Sequence, residues 1–175
     1  VVIHIYGSAW FNNNGKGAAD LGTIVNALLR AGYAVVCPNH RSSADAKWPA
    51  QIHDIRGVIR FVRGEADKYH FDTRFIATSG FSSGGHLAST AATTSGMKRA
   101  VVGKVNIDLE GTVGNHLNQA STVNAACDWS GPIDLTAMDC GDHIQMGADS
   151  PEDILLDSKL DREPDRYLSL SATTY

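Results

Sequence analysis

Gly80-Phe81-Ser82-Ser83-Gly84 constrains the fold of this chain more than any other stretch, because a G-x-S-x-G pentapeptide needs a particular setting to matter. Where it turns a strand sharply into a helix, its flanking positions must lack side chains so that two backbones can pass closely. The setting is present: Arg74–Thr78 reads as a short strand before it, and Ser83–Thr93 as a helix of small residues suited to close packing on a sheet. Such a turn lifts the Ser82 hydroxyl to the C-terminal edge of the sheet. It then sits over a helix N-terminus whose free N–H groups and dipole favour developing negative charge. Ser82 is therefore the candidate nucleophile. Neither Ser79 nor Ser83 has glycine at both minus two and plus two. The competing reading is a Gly/Ser-rich loop without chemistry, since the bare pentapeptide arises often by chance.

The rest of the chain supplies the sheet. Val1 to Tyr6 predicts a buried strand, and Phe11 to Lys16 a loop rich in Asn and Gly. Leu21, Ile24, Val25, Leu28 and Leu29 recur at helical spacing, with Gly32 placed as a C-cap. Tyr33 to Cys37 predicts a second strand, stopped by Pro38. Trp48 and Pro49 open a longer helix with the apolar stripe Ile52, Ile55, Val58, Ile59, Val62 and Ala66, and with Arg56, Arg60 and Arg63 on an opposite, solvated face. Short apolar strands alternating with helices predict a parallel sheet covered on both sides, an α/β three-layer sandwich.

Farther on, Val105, Ile107 and Leu109 alternate with polar residues. With a turn at Gly114-Asn115, this predicts a β-hairpin inserted over the sheet edge at about 102–122. Val123 to Cys127 resumes the buried-strand pattern. After Pro132 the chain is polar and irregular, with helical signals at Pro151 to Leu156 and Asp165 to Leu170. Residues 1–175 read as one domain.

A formal net charge of −4 gives no reason to expect nucleic acid or an anionic membrane, and no apolar run is long enough to span a bilayer. The spacing of Cys and His predicts no metal site and nothing calls for a cofactor. Among the cysteines, Cys37 reads as a buried thiol, while Cys127 and Cys140 are near enough for a loop disulfide if the compartment is oxidising. The chain opens inside an apolar run without Met, so both ends look cut and the compartment stays undetermined.

A second segment complements Ser82. Tyr6-Gly7-Ser8-Ala9-Trp10 follows the first strand, and its small residues let backbone N–H groups approach a substrate oxygen. An oxyanion hole is expected from the N–H groups of Ser83 and of Gly7, Ser8 and Ala9. His86, one turn below Ser82, reads as structural, as does His4 in its strand. His116 is expected in an exposed turn, and His143 in a polar loop that could swing over the site. Asp128 and Asp134 flank the end of the sixth expected strand, and read either as the acid partner of a histidine or as turn caps. Arg41 and Asp54 could pair structurally.

On these residues the chain resembles serine esterases of the α/β-hydrolase superfamily, of the hormone-sensitive-lipase-like and feruloyl- or acetylxylan-esterase-like kinds. Ile5 to Trp10 is similar to their His-Gly-Gly-Gly-Trp segment, with Tyr6 in place of His and Ser8 and Ala9 in place of Gly. Pro38-Asn39-His40-Arg41, Trp48-Pro49 with Asp54, Gly80 to Ala88, Gly131 to Leu135 and Leu170 to Tyr175 are similar to later segments. The resemblance implies the region of strands three to six, without the last two strands. The triad acid and histidine would then lie beyond Tyr175. It also implies an acyl-enzyme mechanism on small acyl or aromatic esters, including esters attached to carbohydrate. The alternatives are a prolyl-oligopeptidase-like serine peptidase and a non-catalytic binding protein of the same fold.

Overall fold

The computed structural model describes residues 1–138 and 150–175. Its strands are β1 (Val2–Ile5), β2 (Val35–Val36), β3 (Ala77–Phe81), β4 (Arg99–Val102), β5 (Val105–Asp108) and β6 (Ala125–Trp129). Its α-helices are α1 (Asn26–Arg30), α2 (Ala50–Gly64), α3 (Ala66–Tyr69), α4 (Ser83–Thr93), α5 (Pro151–Leu156) and α6 (Pro164–Leu170). Four strands make a sheet in the order β2-β1-β3-β6, and every pairing in it is parallel. β3 lies at its centre, in register from Val2↔Ala77 to Ile5↔Gly80 on one side and from Ala77↔Ala125 to Phe81↔Trp129 on the other.

One apolar cluster joins the sheet to the helices. Ile3 and Ile5 of β1 are buried with Ile52, Ile55, Ile59 and Val62 of α2 and Leu87, Ala88 and Ala91 of α4. The small residues of α4 allow close approach to the sheet, where Thr78 Oγ1 donates to Ala88 O at 3.0 Å. On the other face of β1, His4 is fully buried and meets Asp20 at 3.4 Å, just before the helical segment that leads into α1.

Several expectations are corrected. β3 begins three residues later than Arg74 and runs through Gly80: Arg74 folds back on Asp72, Nε to Oδ1 at 2.9 Å, which holds the chain in a turn there. The second strand shrinks to Val35–Val36, and Leu21 and Leu29 of the first helical segment are largely exposed.

The arginines of α2 do not form a solvated face, since Arg56 is 0% and Arg60 2% exposed. The segment 109–123 folds over α2 and supplies carbonyl acceptors. Arg56 donates to Ser121 O at 2.7 Å and Thr94 O at 2.7 Å, and Arg60 to Val113 O at 3.0 Å and to the Glu110 carboxylate. Arg63 donates to Ala120 O at 2.9 Å.

The hairpin is β4–β5, closed by the pair Val102↔Val105, so its turn is Gly103-Lys104 rather than Gly114-Asn115. Gly103 takes φ +56, the conformation such a turn needs. β6 is not buried: as an edge strand of the described sheet it exposes Ala125, Ala126, Cys127 and Trp129. The two late helices form where expected, α5 with a capping box of Ser150 and Asp153. Cys37 is a half-buried thiol with its pKa raised by desolvation. Cys140 and His143, and so any Cys127–Cys140 bridge, lie outside the described residues. No helix among the described residues is long and apolar enough to cross a membrane.

Candidate active site

The elbow forms because two backbones cross where glycine alone fits. A Cβ on Gly80 would strike the carbonyl of Gly84, and one on Gly84 would strike the carbonyls of Ile5 and Tyr6. β3 can therefore run directly under the first turn of α4. Between them Ser82 adopts φ 53 and ψ −124, a conformation costing a non-glycine residue about 1–3 kcal/mol. Two bonds hold it there: Ser82 N–H donates to Trp129 O at 2.9 Å, and Ser82 O accepts from His86 N–H at 3.0 Å. Ser82 is half-buried, and its hydroxyl makes no hydrogen bond with the described residues.

The segment after β1 folds against this elbow. A Cβ on Gly7 would lie 2.9 Å from Ser82 Cβ, so glycine there permits the contact. Ala9 (φ 50) and Trp10 (φ 61) are both left-handed, and Phe11 N–H closes a turn onto Ser8 O at 2.9 Å.

Both ends of the loop are anchored. Tyr6 stacks on His40 at 4.7 Å and donates its hydroxyl to Asn12 O at 2.7 Å. Trp10 is buried edge-on to His86 at 5.2 Å, with its carbonyl accepting from Ser43 N–H at 2.8 Å. Arg41, next to His40, is paired with Asp54 at 2.8 Å, which fixes the segment after β2. Of the expected oxyanion donors, the Ser8 amide is already engaged: it donates to Ser83 Oγ at 2.9 Å. The amides of Gly7, Ala9 and Ser83 have no acceptor among the described residues.

The histidines are occupied elsewhere. His86 is wholly buried, shares a 2.8 Å hydrogen bond with Leu170 O through Nε2, and has its pKa lowered to about 4 by desolvation. His40 is also lowered by burial and bonds Arg41 O at 2.9 Å through Nδ1. His4 meets Asp20 through Nε2 while Nδ1 stays buried without a partner. His116 is not an exposed turn residue but is half-buried against α2, paired with Glu65 at 3.0 Å.

Asp128 and Asp134 both cap turns. Asp128 accepts from Gly131 N–H at 2.6 Å and Ser89 Oγ at 2.7 Å; Asp134 accepts from Thr136 N–H at 3.0 Å, and the Thr136 bonds lower its pKa. Among the described residues no histidine bonds Ser82, and no group of His, Cys, Asp or Glu is arranged to hold a metal ion. A cleft of about 550 Å³ between α2, β5 and α6 includes Lys47, Trp48, His53 and Asp108 and takes no residue from the elbow. Sequence reasoning missed the side-chain roles of Ser83, Tyr6 and His40. Their partners are remote in sequence, and no local pattern signals them.

A glycine-framed serine at a strained strand-to-helix turn, on the C-terminal edge of a parallel sheet and faced by a loop from the neighbouring strand, is the nucleophile-elbow arrangement of the α/β-hydrolase fold. The sequence profile of the BD-FAE family matches residues 1–175, and the chain belongs to that family.

It is 48% identical to a solved structure described as a bifunctional GH43-CE protein of Bacteroides eggerthii, with a TM-score of 0.93 over 100% of this chain and 22% of that one. A structure described as a truncated form of carbohydrate esterase from gut microbiota is 44% identical, with a TM-score of 0.89 over 98% of this chain and 60% of that one. The probable carboxylic ester hydrolase LipM of Mycobacterium tuberculosis is 29% identical over 100% of this chain and 39% of its own length. The chain thus spans less than two thirds of each.

Proposed function

We propose that this chain carries the nucleophile and oxyanion-binding part of a serine carboxylesterase. Ser82 Oγ attacks the ester carbonyl carbon, and a histidine from outside the described residues takes the hydroxyl proton. The carbonyl oxygen gains the negative charge and is received by the Ser83 and Ala9 amides. Collapse of the tetrahedral intermediate expels the alcohol and leaves an acyl-enzyme, which water hydrolyses. The observation that carries this reading is the position of Ser82, held at φ 53 beside Gly7, with the Gly7, Ala9 and Ser83 amides unengaged among the described residues.

The relatives described as a carbohydrate esterase and a GH43-CE protein favour an acyl group borne on a carbohydrate. No cofactor takes part in this scheme. The test is hydrolysis of 4-nitrophenyl acetate and of an acetylated xylo-oligosaccharide by the full-length protein. Ser82→Ala is expected to lower kcat/KM on both by about 10⁴-fold or more. Turnover of a prolyl amide in preference to the esters would establish a peptidase instead, and no turnover of any of the three a binding protein.

A further inference from the structure

The side chain of Ser83 has a task that the ester-hydrolysis scheme does not use. It is 1% exposed at the first position of α4, and its Oγ accepts the Ser8 N–H at 2.9 Å. This bond joins the two halves of the site, because Ser8 belongs to the loop after β1 and Ser83 to the elbow. A peptide unit is planar, so its N–H and C=O point in opposite directions. With the Ser8 N–H directed at Ser83, the Gly7 carbonyl is turned away from the elbow. Gly7 is the residue least able to hold that plane by itself, since it resists rotation weakly. A flip of the Gly7–Ser8 unit would break the bond to Ser83 and displace the Ala9 amide that follows it.

We infer that the Ser83 hydroxyl is a positioning group: it latches the Gly7–Ser8 peptide so that the oxyanion site is formed before substrate arrives. The inference rests on the reading of Ser82 given above. The latch touches no reacting atom. Its effect falls on kcat, because the orientation of the oxyanion site matters most when charge is on the carbonyl oxygen. It also makes Ser8 a structural donor rather than an oxyanion donor.

Two readouts on the full-length protein test this: steady-state hydrolysis of 4-nitrophenyl acetate, and hydrogen exchange at the Ser8 amide by NMR. Ser83→Ala is expected to lower kcat about 5- to 20-fold, less than loss of a whole oxyanion donor, with KM within about twofold. Ser8 exchange should accelerate about tenfold or more, and Ser83→Thr, which keeps the hydroxyl, should restore most of both. An alanine variant with wild-type kcat and Ser8 protection overturns the latch, as does one that changes only KM. If Ser83→Ala does not fold, the wild-type protein decides: a Ser8 amide exchanging as fast as an unstructured peptide overturns the proposal, and a protected one sustains it. Ser82→Ala is measured alongside. Full turnover in that variant defeats the nucleophile assignment, while Ser8 exchange still reports on the latch.

Discussion

His86 is uncharged in the folded protein at any pH above about 4, because burial removes the water that would solvate its imidazolium. In the unfolded chain the same ring protonates near its ordinary value of about 6.5. Between those two values the unfolded state binds the extra proton, so stability is full above the upper one and falls as pH drops toward the lower. His40, lowered by burial as well, acts in the same direction. Urea unfolding is expected to show a loss on the order of 3 kcal/mol for His86 between pH 7 and pH 4. The slope should flatten in His86→Asn, and an identical pH profile in that variant would refute the assignment. A second prediction concerns Gly84, whose added Cβ would meet the carbonyls of Ile5 and Tyr6. Backbone atoms cannot yield as a flexible side chain can. Gly84→Ala should therefore lower stability by about 3 kcal/mol or more and disable the elbow; a variant with a wild-type melting temperature would contradict the crossing described.

Helix α2 acts as a clamp as well as a core element. Ile52, Ile55, Ile59 and Val62 pack into the apolar cluster, while Arg56, Arg60 and Arg63 reach the carbonyls of the segment from 109 to 123. Each guanidinium replaces lost water contacts with fixed oxygen acceptors, without which burial would be prohibitive. Burial without a directly bonded carboxylate lowers the Arg56 pKa. Arg56→Ala should cost about 2–4 kcal/mol, since it empties a cavity and leaves Ser121 O and Thr94 O unpaired. Arg63→Ala, at a more exposed site, should cost less than about 1 kcal/mol. Chemical denaturation of both variants checks the ordering, and equal losses would mean that the clamp does not depend on depth.

Across the described residues the sheet is covered unevenly. One face of β1 and β3 lies under α2 and α4, whereas β6 presents Cys127 and Trp129 at an edge, with Phe81 beside Trp129 in register. A thiol reacts according to its access and its thiolate fraction. In the 175-residue chain, Cys127 should therefore be alkylated by iodoacetamide well before Cys37, whose half-buried thiol has a raised pKa. Peptide mapping of a partial reaction gives the order, and faster labelling of Cys37 would contradict this arrangement of the edge.

Local geometry was legible from the sequence wherever neighbours in the chain determine it. Gly80 to Gly84 marked the elbow, Ser83–Thr93 was found at its observed boundaries, and Ser150 with Asp153 capped a helix near its expected start. The alternation of short strands and helices gave the parallel sheet, because the crossovers leave few topologies open. Contacts between remote segments set the rest. Periodicity assigned Arg56 and Arg60 to water because it registers charge and cannot register the carbonyls of residues some forty to sixty positions away. It read Val123 to Cys127 as a buried strand, whereas β6 borders the described sheet with Cys127 and Trp129 exposed, because apolar composition does not say which strands flank it. It offered Gly7, Ser8 and Ala9 equally as amide donors, and only the meeting of Ser8 with Ser83 distinguished them. Sequence determines conformation through steric limits within a few residues. The environment of each buried polar group depends on which distant backbone comes to rest beside it, and that was decided by the tertiary structure alone.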